Sequence, residues 1–122
     1  MARNERIYRV KCFIRQEHKC YYCGCEMWDS VFETLTEAAL RLFPDSDPVP
    51  SWSSSPISTS QRVAAKKVRC TLEHLLKKSD GGRTTLENTV AACNQCNSSR
   101  ESKSPEALMI EIQRKNGVLS QI

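Results

Sequence analysis

Histidine is nearly absent from this chain: two occur in 122 residues, His18 and His74. Glycine is almost as scarce, at four, so few turns can rely on a residue without a Cβ. Aromatic residues make up 7% of the chain and hydrophobic residues 39%. That composition suits one domain with a small core, which a cross-link or a metal would help to hold. No run of eighteen apolar residues occurs, which excludes a membrane-spanning helix. The opening MARNERIYRVKC is charged throughout and has no apolar h-region, so it does not read as a secretory signal. The expected location is the cytoplasm.

Cysteine, by contrast, is abundant, with seven residues. In a chain without a secretory signal this favours metal binding over a disulfide scaffold, and an odd number cannot all pair within one chain. Cys20 and Cys23 form one C-x-x-C pair, Cys93 and Cys96 another. Two intervening residues let a turn present both thiolates to one ion, and two such turns supply a tetrahedral S₄ set suited to Zn²⁺. With no open coordination position, that zinc is structural. The bland alternative is two unrelated pairs. Cys25 can in principle partner Cys20 or Cys23, but the spacing followed by Gly24 favours the first two as ligands. Cys12, Cys25 and Cys70 then read as small packing residues.

The formal net charge of +4 conceals a pattern. Residues 1–25 carry net +4, residues 26–60 net −5, residues 61–83 net +5, and the remainder is neutral. Two basic blocks flanking the cysteines are the footprint of a phosphate-binding face, or simply two solvated faces.

Residues 4 to 18 carry Ile7, Val10, Phe13 and Ile14 at helical spacing, and 31 to 43 read as a second helix ended by Pro44. Positions 44 to 60 hold four prolines and seven serines and read as a flexible loop, with Trp52 as a contact residue of that insertion. KVRCTLEHL and NTVAAC read as strands joined by a turn at Gly81-Gly82. NQCNSSRESK reads as one or two helical turns. Ser104-Pro105-Glu106 is a helix start, with Gly117 as its stop.

Between the cysteine pairs lie Glu73, His74, Asn88 and, directly after Cys96, Asn97. Neighbours on a strand point to opposite faces, so Glu73 and His74 serve one site only where the strand bends or a helix end approaches. The Glu73 carboxylate and the Asn97 carbonyl are hard oxygen donors that suit Mg²⁺ or Mn²⁺ rather than zinc. His74 is left to act as a base near neutral pH. His18 lacks such partners and reads as a helix-end or backbone-contacting residue. Tyr21 and Tyr22 either stack on nucleic acid or cover the first cysteine pair. Arg69, Lys77, Lys78 and Arg83, with Lys66 and Lys67, are candidate phosphate contacts governing affinity and salt dependence.

The stretches CYYCG and RCTLEHLLKKSDGGRTTLENTVAACNQCNSSR resemble the HNH endonuclease family, with its ββα-metal site. The family pattern is an acid or histidine before His, a Gly-containing loop, Asn, then C-x-x-C followed by His or Asn. The resemblance implies that Glu73 and Asn97 ligate one catalytic divalent ion and that His74 is the general base. It further implies that Asn88 orders the inter-strand loop and helps to orient the base, and that Arg100 faces the phosphate. Glu73 stands where family members often have Asp, and LLKK where many have Pro.

The implied fold is α+β: a small zinc-stabilised ββα-metal domain with an N-terminal helix, a helical/loop insertion and a C-terminal helix. The domain is expected to span 1–122, with its core about 4–25 and 66–116 and the insertion about 30–62. The implied activity is metal-dependent hydrolysis of DNA, most naturally double-stranded, by nicking or double-strand cutting. The alternative is a zinc-stabilised nucleic-acid-binding module without cleavage. A restriction enzyme, a mobile-element enzyme and a phage packaging nuclease all fit, as do monomer and homodimer.

Overall fold

The computed structural model describes residues 3–44, 49, 51–101 and 103–115. The described residues make a small α+β fold of five α-helices and one two-stranded antiparallel sheet. α1 (Arg3–Arg15) leads into a loop, followed by α2 (Leu35–Leu42) and α3 (Thr59–Lys67). β1 (Cys70–His74) and β2 (Thr89–Cys93) then form a hairpin, with α4 (Asn94–Arg100) and α5 (Pro105–Lys115) after it. Its register pairs Cys70 with Cys93, Glu73 with Val90 and His74 with Thr89. Among the described residues no helix is long and apolar enough to cross a membrane.

α1 forms where expected but docks on a different stripe. Ile7 and Ile14 are 45% and 56% exposed, whereas Arg9, Cys12 and Phe13 are buried. The docking is polar. Arg9 holds buried Asp29 through two bonds of 2.7 and 3.0 Å. Gln16 accepts from Ala91 N and donates to Ala91 O, both at 2.8 Å, so its amide completes the outer edge of β2 as another strand would. Arg15 donates to Leu86 O and Thr89 O beside it.

The middle of the chain is more ordered than its composition suggests. The expected helix at 31–43 begins late, because Thr34 caps it in a capping box with Glu37. Residues 59–67, assigned no helix from sequence, form α3, started by a second capping box of Ser58 and Gln61. Ile57, within the expected loop, is buried with Ala39 and Ala65 between α2 and α3. Trp28 ties this pair of helices to the main core by donating from Nε1 to Ala65 O at 2.7 Å. Trp52 is 85% exposed and is no buried contact; positions 45–48 and 50 lie outside the described residues. Replacing Ser58 with Ala should lower stability by about 1 kcal/mol, read as a fall in urea midpoint at unchanged slope.

α5 starts as expected, with Ser104 Oγ accepting from Ala107 N at 3.1 Å, and buries Leu108. Its expected stop at Gly117 lies outside the described residues. The main core joins Phe13, Tyr22, Met27, Leu108 and five cysteines with the small residues Ala91 and Ala92.

Candidate metal and nucleic-acid site

Four thiols from three parts of the fold meet at one point. Cys20 and Cys23 sit in the turn after α1, closed by Gly24 at φ +75° with its N–H on Cys20 O. Cys93 ends β2 and Cys96 lies in the first turn of α4. All four sulfurs lie within 4.8 Å of one another. Thiolates bound at about 2.3 Å to one tetrahedral zinc are about 3.8 Å apart. Cys23 and Cys93 Sγ are 3.9 Å apart. Backbone amides already point at the sulfurs, Cys93 N to Cys20 Sγ at 3.3 Å and Cys96 N to Cys93 Sγ at 3.4 Å. Without a cation the crowded thiols oppose one another: Cys23 drives the Cys20 thiol far below its ordinary pKa, while Cys20 holds Cys96 far above its own. The donor set fits zinc. Cys25 is half-buried against this cluster but is not one of the four.

Beyond the thiols, α1 and α4 both pack on the hairpin. On β1, Thr71 and Glu73 share the face toward α4, where Asn97 Nδ2 donates to Thr71 Oγ1 at 3.1 Å and Arg100 pairs with Glu73 Oε1 at 2.8 Å. Asn97 and Arg100, three residues apart, lie on one side of α4. The two proposed oxygen donors are therefore on facing surfaces of strand and helix.

His74 takes the opposite side of the strand, at its last residue. Its Nε2 is 2.9 Å from Thr84 Oγ1. Burial, helped by the charge of Lys78, pushes its pKa below the usual imidazole value and favours the neutral ring. Thr84 carries no signal in the sequence; a hydroxyl in a turn looks like any other. Thr84→Val should leave the fold intact and free the ring, costing about 1 kcal/mol of orientation, or roughly fivefold in any cleavage rate that depends on it.

Asn88 organises the inter-strand loop as expected. Its side chain accepts from Leu76 N at 2.8 Å and donates to Leu76 O and Arg83 O. It does not hold the imidazole; that contact is Thr84's. Gly81 takes φ +93°, and Gly82 is required by close approach, since a Cβ there would sit 1.8 Å from Leu76 O.

Arg100 differs most from expectation. Rather than facing outward to phosphate, its side chain is 4% exposed and bonds Glu73, the carbonyls of His74 and Leu75, and Lys103 O. It locks the C-terminal end of β1 to α4. Glu73 is left with one paired oxygen and one, Oε2, buried without a hydrogen-bond partner among the described residues. Such an atom costs about 1–3 kcal/mol. Burial raises the Glu73 pKa against the pull of Arg100. An unpartnered carboxylate oxygen facing an asparagine-bearing helix fits a hard divalent cation.

Around the end of β1 opens a cleft of about 720 Å³ lined by Tyr21, Lys77, Asn88, Arg100 and Lys103, among others. Lys77 bonds Glu101 O, and Lys78 pairs with Glu5 of α1. Arg83 and Arg69 are exposed. Arg69, with Lys66 and Lys67, lies at the far end of β1, about 17 Å from His74 at about 3.3 Å per residue. The basic residues thus make two patches. His18, in the left-handed region at φ 67°, stacks on Phe13 at 4.2 Å and closes the end of α1.

A β-hairpin crossed by a short helix, with four thiols drawn together beside it, defines a small module able to hold a zinc ion, with basic residues at both ends of β1. Residues 62–112, from within α3 into α5, match the family model described as HNH endonuclease. The HNH family is generally one of nucleases, which use divalent metals and act on nucleic acids. Neither the curated proteins nor the solved structures contain a match to the chain.

Proposed function

We propose that the chain is a DNA endonuclease in which Glu73 and Asn97 hold one Mg²⁺ or Mn²⁺ and His74 is the general base, with a structural Zn²⁺ on Cys20, Cys23, Cys93 and Cys96. The observation carrying this reading is the β1–α4 interface, where Glu73 Oε2 is buried without a partner opposite the helix bearing Asn97. When bound, the divalent ion supplies positive charge to the scissile phosphate. His74, kept neutral by burial, takes a proton from water; the water oxygen forms the new P–O bond as the bond to the leaving oxygen breaks. Because His74 is the last residue of β1, a phosphodiester drawn across the strand end meets the oxygen donors on one side and the imidazole on the other. Lys77, Lys78 and Arg83 around the loop supply backbone affinity, with Arg69 as a more distant contact. Arg100 acts by holding Glu73 and the strand end.

One observation favours the second reading, a binding module without cleavage: Glu73 already has a cation in Arg100. Supercoiled plasmid incubated with the zinc-loaded protein separates the two. The nuclease reading expects nicked or linear DNA with Mg²⁺ or Mn²⁺ and none after their removal. Retardation on a gel without cutting under any divalent ion would establish the binding module instead.

A further inference from the structure

Two side-chain polar atoms are buried without a hydrogen-bond partner among the described residues: Glu73 Oε2 and the Tyr22 hydroxyl. Tyr22 lies inside the first cysteine pair, between Cys20 and Cys23, and is 4% exposed. Its ring belongs to the core cluster that contains Ala92 and Cys96. Ala92 pairs with Thr71, so it lies on the sheet face that Glu73 also presents toward α4. The neighbouring amide, Tyr21 N, donates to Ala91 O at 3.0 Å and fixes this turn against β2. The charges of Glu73 and Arg100 both act on the Tyr22 hydroxyl. Tyr21 lines the same cleft as Arg100, the residue that holds Glu73, so the turn carrying Tyr22 lies beside that pair. Leaving two polar groups unpaired costs a fold free energy.

We propose that Tyr22 is a positioning residue for the catalytic divalent ion: its hydroxyl, through one bridging water, orients Glu73 Oε2 for coordination. Neither atom has a partner, so they do not bond each other directly, and a water between them satisfies both. A carboxylate oxygen has room for a second interaction beside a cation, and hydrogen bonds to a ligating carboxylate commonly set its orientation and metal affinity. The first cysteine pair then does more than staple the fold. It places the phenol, so that zinc binding in the turn prepares the neighbouring divalent site.

This inference rests on Glu73 being a ligand of the divalent ion, and the test keeps the two apart. Mn²⁺ is titrated into the zinc-loaded full chain without DNA, and free Mn²⁺ is followed by electron paramagnetic resonance. Tyr22→Phe should retain one zinc and a thermal midpoint close to wild type, because it keeps the buried ring and every cysteine ligand. Its Mn²⁺ dissociation constant should rise about tenfold. Glu73→Gln should lose more, and the double variant should be no weaker than Glu73→Gln alone, since the hydroxyl acts only through the carboxylate. Tyr21→Phe, on the exposed neighbour, should match wild type. Wild-type Mn²⁺ affinity in Tyr22→Phe, with Glu73→Gln impaired, overturns the inference and leaves Glu73 as a ligand. Equal affinity in wild type and Glu73→Gln overturns both.

Discussion

Stripping zinc from the four-cysteine cluster should unfold this protein outright. The thiols join the turn after α1, the end of β2 and the start of α4, so an ion held by all four would close three elements on one another. The apolar core there is small, built from cysteines and alanines around Phe13, Tyr22, Met27 and Leu108. A structural zinc in small peptides is worth about 10 kcal/mol or more, while a whole domain is typically stable by about 5–15 kcal/mol. Removing the ion therefore consumes most or all of the margin. Circular dichroism should show a cooperative melt in the zinc-loaded protein and none after exhaustive chelation. Cys93→Ser should behave like the chelated chain, since it removes both a ligand and the sulfur that accepts the Cys96 amide. Cys25→Ser should keep one zinc per chain and a near-native melt. A chelated protein that still unfolds cooperatively at its original midpoint would remove zinc from the account of this fold.

The cysteine pairs were legible because their chemistry is local: spacing alone determines that two thiols of one turn can share an ion. The hairpin was legible for a similar reason, with β-branched runs around a Gly-Gly turn. α1 was placed well and oriented poorly. Its inward stripe is Arg9, Cys12 and Phe13, with Gln16 just past its end, and Arg9 and Gln16 dock by hydrogen bonds to partners 20 and 75 residues away. Apolar periodicity is blind to that kind of contact. α3 went unread although Ser58 and Gln61 spell a capping box, because the proline- and serine-rich run before it masks a helix that buries little beyond Ala65. At the site, residue types were readable and partnerships were not. Arg100 resembles an outward phosphate contact until the fold turns it onto Glu73. Thr84 acquires meaning only because an intervening loop brings it to His74 from ten residues away.

Replacing His74 with alanine should abolish most cleavage while sparing nearly everything else. A positioned general base contributes about 10²- to 10⁴-fold, which is about 2.7–5.4 kcal/mol of barrier. The ring is only partly buried, its sole side-chain partner among the described residues is Thr84, and it lies across the strand from the Glu73–Arg100 pair. Truncation therefore disturbs neither the zinc set nor the carboxylate. Zinc content, thermal midpoint and plasmid retardation should stay close to wild type, with plasmid nicking lower by two to four orders of magnitude on the same scale. The residual rate should climb with pH, because hydroxide then replaces the proton transfer that the imidazole performed. Asn97→Ala should follow a different course, with a defect that shrinks as Mn²⁺ is raised, since a lost ligand is offset by mass action and a lost base is not. If His74→Ala nicks as fast as wild type, proton abstraction belongs to another group. The neutral, Thr84-held imidazole would then be a strut of the loop rather than part of the chemistry.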